Sequence, residues 1–390
     1  MPPALENIKV LDLTWAGPGP FCATILGDLG ADIIKIHEPH PERRGGPIIY
    51  TFPNSSSPGL RNCRILGLNL KSDDGLAIFY QLARKADVIL EGFRPGAAKR
   101  LGIDYDSIRK LNPALVYAAL TGYGQTGPYR DVVGHDINYV SIGGLLGLTG
   151  NSGGPPVIPG VPLADFAAGG MAAAIAIMAA LMTREKTGKG QYADISMTDA
   201  TVGLMSIWIN PYLTWGIASK RGETWLSGHW PWYNVYETKD GKYLSVGALE
   251  PWFYTNLCRL LGREDFIEHQ FADGEKKDEI FNDFRRLFSS KTRDEWIEIL
   301  HQKDTCVAPV YSIDELVNDP QLVERGMIAD MPHPALGRVK QVGSMFKLSD
   351  SPFNVRNWGT RFGQHSEEIL LEIGYDQAQI DTLRQADVIG

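Results

Sequence analysis

The spacing of apolar and polar positions changes several times along the chain, and each change marks an element. Residues 8–36, IKVLDLTWAGPGPFCATILGDLGADIIKI, read as an apolar strand, a Gly/Pro turn, an amphipathic helix over about 21–29 and a second strand over 32–36. The runs ADVILEGF, ALVYAALTGYG and YADISM add strand patterns, and DDGLAIFYQLARKA carries helical spacing. Alternation of this kind predicts an α/β fold, with a mostly parallel sheet and helices on both faces. A long buried helix is predicted to begin at Asp165, in DFAAGGMAAAIAIMAALMTREKTGKG, and to stop at Gly188 and Gly190. Its small residues suit close approach by another backbone.

Past residue 200 the pattern shifts. Six of the nine tryptophans lie between Trp208 and Trp252, and WYNVYETKDGKYLSVGAL reads as a hairpin turning at Asp240 and Gly241. A charged, helix-rich stretch follows to about residue 318. The length of 390 residues suffices for two cores. The expected division is residues 1–200 as the first part of a large domain, 201–224 as a linker, 225–320 as a small α+β domain, and 321–390 as a segment returning to complete the large one.

Composition narrows the function classes. A formal net charge of −8 gives no general attraction to phosphate backbones or anionic membranes, so neither nucleic acid nor a membrane is an expected partner. Cys22, Cys63, Cys258 and Cys306 form no C-x-x-C pair, which fits a reduced chain without disulfide frame or metal site. MPPALENIKV lacks the charged start and apolar run of a secretory leader, and no apolar stretch is expected to be long enough to span a bilayer. The expectation is a soluble, cytoplasmic protein.

Nucleotide motifs fail on inspection. Gly17 and Gly19 are followed by Cys22 where a dinucleotide fingerprint needs its third glycine, and KTGKGQ lacks the Ser/Thr of a P-loop. Three other positions carry candidate chemistry. Asp165 is placed to cap its helix, or else to face a ligand as an ionised base or nucleophile. Glu250 precedes Pro251, a residue suited to the first helical position, and suits a cap as well. His135 stands beside Asp136, either as a loop histidine bonded to its neighbour or as a proton carrier. Arg43, Arg44, Lys71, Arg94 and Arg100 fall near predicted strand ends or turns, where a doubly wound sheet has its ligand crevice.

Over nearly its whole length the sequence resembles the class III CoA transferases together with the α-methylacyl-CoA racemases. The matching pieces are VLDLTWAGPGPFCATILGDLGADIIKI, LNLKSDDG, ADVILEGFRPGAAKRLGIDY, NPALVYAALTGYGQTGP, GHDINY, LADFAAGGM, TGKGQYADISM and LEIGY. The resemblance implies a Rossmann-like large domain whose parallel sheet is formed by both chain ends, a small domain, and two chains interlocked as a homodimer. It also implies coenzyme A, as part of a thioester substrate and not as a prosthetic group. The implied contacts are Arg43, Leu68, Leu70, Lys71, Arg94, Arg100, Gly134, Asp136 and Tyr139. LADFAAGG matches the catalytic aspartate of both branches, a nucleophile in transferases and a base in racemases. GHDINY and GALEPWFY are similar to racemase segments, so His135, Asp165 and Glu250 are the implied catalytic residues. The sequence departs from the racemases at HWPWYNVY, where they carry a Gly-Ala-Pro-Phe-Tyr run, and at RNCRILGLNL before Lys71.

The leading reading is therefore a cofactor-free racemase or epimerase of 2-methylacyl-CoA thioesters. Its rival is a CoA transferase working through Asp165, and a third reading is a non-catalytic acyl-CoA-binding subunit. Under the first, the rings from Trp225 to Trp232 either line an acyl pocket or pack a domain, and backbone N–H groups at the start of the Asp165 helix stabilise an enolate.

Overall fold

The structure is a computed structural model that describes residues 1–40, 60–359 and 361–390. The chain forms two compact units, one of residues 1–144, 160–205 and 325–390, the other of residues 145–159 and 206–324. The segment 145–159 thus clusters with the second unit, although the sequence reading set it within residues 1–200.

The first unit is built on six parallel strands: β1 (Lys9–Asp12), β2 (Asp32–His37), β3 (Cys63–Gly67), β4 (Val88–Glu91), β5 (Val116–Thr121) and β6 (Tyr192–Ser196). Their order is β3-β2-β1-β4-β5-β6, so the winding reverses between β1 and β4. At such a reversal the turns leaving the two neighbouring strands diverge and open a crevice. The local signals match the spacing in the sequence. Pro18 opens the helix Pro18–Asp28, and Ser72 caps Asp73–Lys85 by accepting the Gly75 N–H at 3.1 Å. Every residue of β4 and β5 is buried, as expected of strands covered on both faces.

One expectation is corrected: among the described residues all six strands of the parallel sheet come from residues 9–196, with none from the last segment. The apolar residues of the last segment recur at helical spacing. Ile369 and Leu370 of the helix Ser366–Glu372 and Ile380 and Leu383 of Gln377–Gln385 pack into the same core as Leu11, Ile34 and Phe79. The segment is also pinned by charge, since Arg64 on β3 pairs with Asp32 at 2.7 Å, Glu368 at 3.0 Å and Glu372 at 2.7 Å. Among the described residues its strand pairing lies outside the parallel sheet: a hairpin of Ile328–His333 with Gly337–Val342, a short antiparallel pair of Trp358–Gly359 with Leu60–Arg61, and a bridge from Leu68 to Ile389.

The long helix forms in two parts, a π-helical stretch Ala164–Met171 and an α-helix Ala172–Thr187. Asp165 is therefore inside the first turn, with Leu163 at the cap position. By length and composition Ala164–Thr187 is apolar enough to cross a membrane, contrary to the sequence expectation. Its small residues are used for close packing. A Cβ on Gly169 would come within 2.7 Å of Pro18, and one on Gly170 within 2.7 Å of Phe21.

The second unit carries an antiparallel sheet of β7 (Tyr233–Glu237), β8 (Tyr243–Gly247) and β9 (Val307–Val310), in the order β9-β8-β7. The β7–β8 hairpin turns at Asp240 and Gly241, as its sequence requires. Trp232 is fully buried here with Phe266, Phe284 and Phe288, and its Nε1 donates to the Gln270 carbonyl at 2.8 Å. Domain packing accounts for that ring, whereas Trp225 is 53% exposed.

Candidate active site

The turn after β1 is fixed from below by a buried ion pair. Lys35 Nζ meets Asp12 Oδ2 and the Thr14 carbonyl, each at 2.6 Å, and Asp12 Oδ1 accepts the Thr14 N–H at 2.8 Å and hydroxyl at 2.5 Å. Both charged side chains are essentially inaccessible. Removing either would strand the other in a low-dielectric core at a cost of about 3–5 kcal/mol. What this anchors is the turn to Gly17, which has φ 59° and precedes the first residue of the helix Pro18–Asp28. A side chain at Gly17 is disfavoured twice, by that left-handed backbone and because its Cβ would lie 2.7 Å from Asp165 Oδ2. Glycine is thus what lets the carboxylate settle on the turn.

His135 arrives from a separate segment. It occupies the cap position of the helix Asp136–Ile142, and its backbone N–H donates to Asn138 Oδ1 at 3.0 Å. Tyr139 closes the loop by donating its hydroxyl to the Gly134 carbonyl at 2.5 Å. The ring of Tyr139 sits so close to the backbone after β5 that a Cβ on Gly122 would come within 2.2 Å of it. Asp136 does not bond its neighbour His135. Its Oδ1 accepts the N–H of Asp165 at 3.0 Å, which ties the two segments together.

Both candidate proton carriers face one cavity of about 690 Å3, lined wholly by the first unit, with Thr14 to Gly19, Arg94, Arg100, Arg130, Gly134 and Tyr139 among its walls. The Asp165 carboxyl is pushed up to about 6, chiefly by burial and then by the charge of Asp136, with His135 opposing the rise. Tyr139 is pushed up to about 12, by burial first and then by Tyr123 and Asp165. A carboxyl that titrates near neutrality, electrostatically coupled to an imidazole across a shared space, is suited to exchanging protons with a bound ligand.

A second cavity of about 550 Å3 in the same unit is lined by Leu68, Leu70 and Lys71 together with Leu13, Ile36 and His37, and it shares Trp15 and Phe93 with the first. The structure therefore gathers the sequence-implied contacts into two groups, Leu68, Leu70 and Lys71 in one cavity and Arg94, Arg100, Gly134 and Tyr139 in the other. Asp136 is in neither, because its carboxylate is used on Asp165. Arg43 and Arg44 lie outside the described residues. Glu250 belongs to the second unit, where it holds the cap position of Pro251–Leu260 without a side-chain capping bond. Of the N–H groups at the start of the Asp165 helix, two are already used: those of Asp165 and Phe166 donate to Asp136 and to the Pro162 carbonyl.

Sequence reasoning missed Gly17, Thr14, Arg130 and Asn138. Gly17 had a signal, a glycine between Ala16 and Pro18 in a turn that fits no nucleotide fingerprint. Arg130 had none beyond its charge. A Cβ on Gly96 would lie 3.6 Å from Arg100 and 3.9 Å from Arg130, so this glycine at the turn after β4 lies beside both guanidinium groups.

Comparison with known proteins identifies the family. The family model described as CoA-transferase family III matches residues 5–366. The α-methylacyl-CoA racemase of Homo sapiens is 36% identical, over 99% of this chain and 97% of its own. The succinyl-CoA:glutarate CoA-transferase of Homo sapiens is 30% identical, over 99% of this chain and 90% of its own. The crystal structure of a CAIB/BAIF family protein from Brucella suis superposes with a TM-score of 0.81 at 26% identity, covering 96% of this chain and all of that one. With a matching model across most of its length and relatives of both kinds along nearly all of it, the chain belongs to CoA-transferase family III.

Proposed function

We propose that the protein is an α-methylacyl-CoA racemase, inverting C2 of a 2-methylacyl-CoA thioester by proton transfer through an enolate. The observation that carries this reading is the placement of His135 and Asp165 on one cavity. A proton beside a thioester carbonyl is weakly acidic, and inversion requires one group to remove it and another to deliver from the opposite face. An imidazole and a carboxyl that titrates near 6 are two such groups. A transferase mechanism uses the carboxylate as nucleophile and leaves the imidazole without a proton to move.

Coenzyme A fits as the carrier of the acyl group. Two cavities that share Trp15 and Phe93 as wall residues suit an extended ligand, and Lys71, Arg94, Arg100 and Arg130 suit its phosphates. Arg100→Ala is expected to raise KM for acyl-CoA about tenfold or more with little change in kcat, as loss of a charge-assisted contact remote from C2 would do. Steady-state kinetics check this. Glu250 keeps the assisting role that its motif implies.

The homodimer is part of the same reading. Ile175 and Met182 on the helix Ala172–Thr187 are 64% and 65% exposed, and Leu204 is 54% exposed at the end of Met197–Leu204, an apolar surface suited to a second chain. Light scattering is expected to report twice the chain mass.

The function is tested by incubating the protein with one enantiomer of a 2-methylacyl-CoA and no second carboxylic acid, then separating the enantiomers. Inversion supports the racemase. A thioester that stays unchanged until an acceptor acid is added, and then loses CoA to it, overturns the reading in favour of a transferase.

A further inference from the structure

Asp136 does two things at once. It opens the helix that follows His135, and it accepts the backbone N–H of a residue 29 positions further along the chain. The first role, a carboxylate in the first turn of a helix, is common and by itself says nothing about function. The second reaches the other candidate proton carrier.

We propose that Asp136 is a positioning residue for the proton-transfer reaction: its carboxylate fixes the Asp165 backbone against the His135 segment, and its negative charge bears on the Asp165 carboxyl. The inference rests on the racemase reading above, and it assigns Asp136 to the acid–base pair instead of to coenzyme A.

Several groups surround Asp165. From the Asp136–Ile142 helix and its cap come His135, Asp136 and Tyr139, of which Asp136 raises the Asp165 proton affinity and His135 lowers it. From the strand-end turns and the loop before Gly134, Arg94, Arg100, Arg130 and Asp131 line the same cavity. Gly17 and Pro18 on one side and Met197 on another bring no charge. Burial is the larger cause of the raised affinity, so neutralising Asp136 lowers the Asp165 midpoint without restoring the ordinary carboxyl value. Because Asp165 acts as a base only when ionised, a lower midpoint moves the acid limb of kcat/KM to lower pH.

Asp136→Asn keeps an oxygen to accept the Asp165 N–H and removes the charge; Asp136→Ala removes both. Asp165 is titrated in the full-length, ligand-free protein by NMR of 13C-carboxyl-labelled aspartate, with Asp165→Asn identifying its signal. The pH profile of C2 inversion is measured alongside. For Asp136→Asn the expected result is a downward shift of roughly half a pH unit in the Asp165 midpoint, matched in the acid limb. For Asp136→Ala the inversion rate is expected to fall about tenfold further, because the pair loses its alignment as well. An unchanged midpoint in Asp136→Asn, or a wild-type inversion rate in Asp136→Ala, overturns the proposal. If Asp136→Ala does not fold, the Asn variant decides alone. Should the wild-type protein invert no substrate, the racemase reading fails separately, while the NMR titration still decides whether Asp136 acts on Asp165.

Discussion

Asp165→Asn is expected to lower the rate of C2 inversion by about a thousandfold, within the range typical of a lost general base. Hydrogen exchange at C2 should be lost unequally between the two enantiomers. In a two-base reaction each side chain serves one face of C2, so the variant can no longer deprotonate the enantiomer whose hydrogen faces residue 165. His135 remains able to exchange the hydrogen of the other. The fold should not suffer. Burial and Asp136 raise the Asp165 carboxyl from 3.8 to about 6, so its protonated form is the one the folded state favours. The stability it contributes is present below pH 3.8 and is lost as pH rises toward 6. A permanently neutral asparagine avoids that loss. Thermal melts are therefore expected to show the variant at least as stable as wild type above pH 6, with the difference vanishing in acid. This is the trade between stability and activity expected of a carboxylate held in a partly apolar site.

The mirror result is expected for His135→Gln. Inversion should fall by about two to three orders of magnitude, and exchange should persist only for the enantiomer whose hydrogen faces Asp165. Separate backbone supports make this a local change. The N–H of His135 donates to Asn138 and the Tyr139 hydroxyl closes the loop on Gly134, neither of which involves the imidazole. Loss of the ring also removes the influence that opposes the rise of the Asp165 carboxyl, so the acid limb of the remaining exchange should move to higher pH. A transferase would respond differently. There Asp165→Asn abolishes all turnover, because no acyl intermediate forms, and His135→Gln leaves CoA transfer largely intact.

Much of this was legible in the sequence because the signals were local. The strand periods gave β1, β2, β4, β5 and β6, and the Asp-Gly turn gave the hairpin of β7 and β8. The helix ending at Gly188 has its glycine in the left-handed conformation that such a stop needs. Harder to see was everything that depends on distant segments meeting. The tie from Asp136 to Asp165, the fit of Gly17 against a carboxylate and the buried Lys35–Asp12 pair each join residues without any shared periodicity. The last segment was read as a contributor to the sheet, yet the spacing of Ile369, Ile373, Ile380 and Leu383 already favoured helices. Asp165 illustrates the limit most clearly. Position at the head of an Ala-rich run suited a cap, but the π-helical opening places the cap at Leu163 and turns Asp165 toward the cavity.

The most direct measurement takes wild type, Asp165→Asn and His135→Gln, each with the separate enantiomers of one 2-methylacyl-CoA in D2O and no acceptor acid, and follows deuterium at C2 by mass and configuration by chiral separation. Two opposed bases predict uptake from both enantiomers in wild type and from opposite single enantiomers in the two variants. If wild type takes up no deuterium, or if both variants lose the same enantiomer, His135 and Asp165 do not serve opposite faces of one carbon.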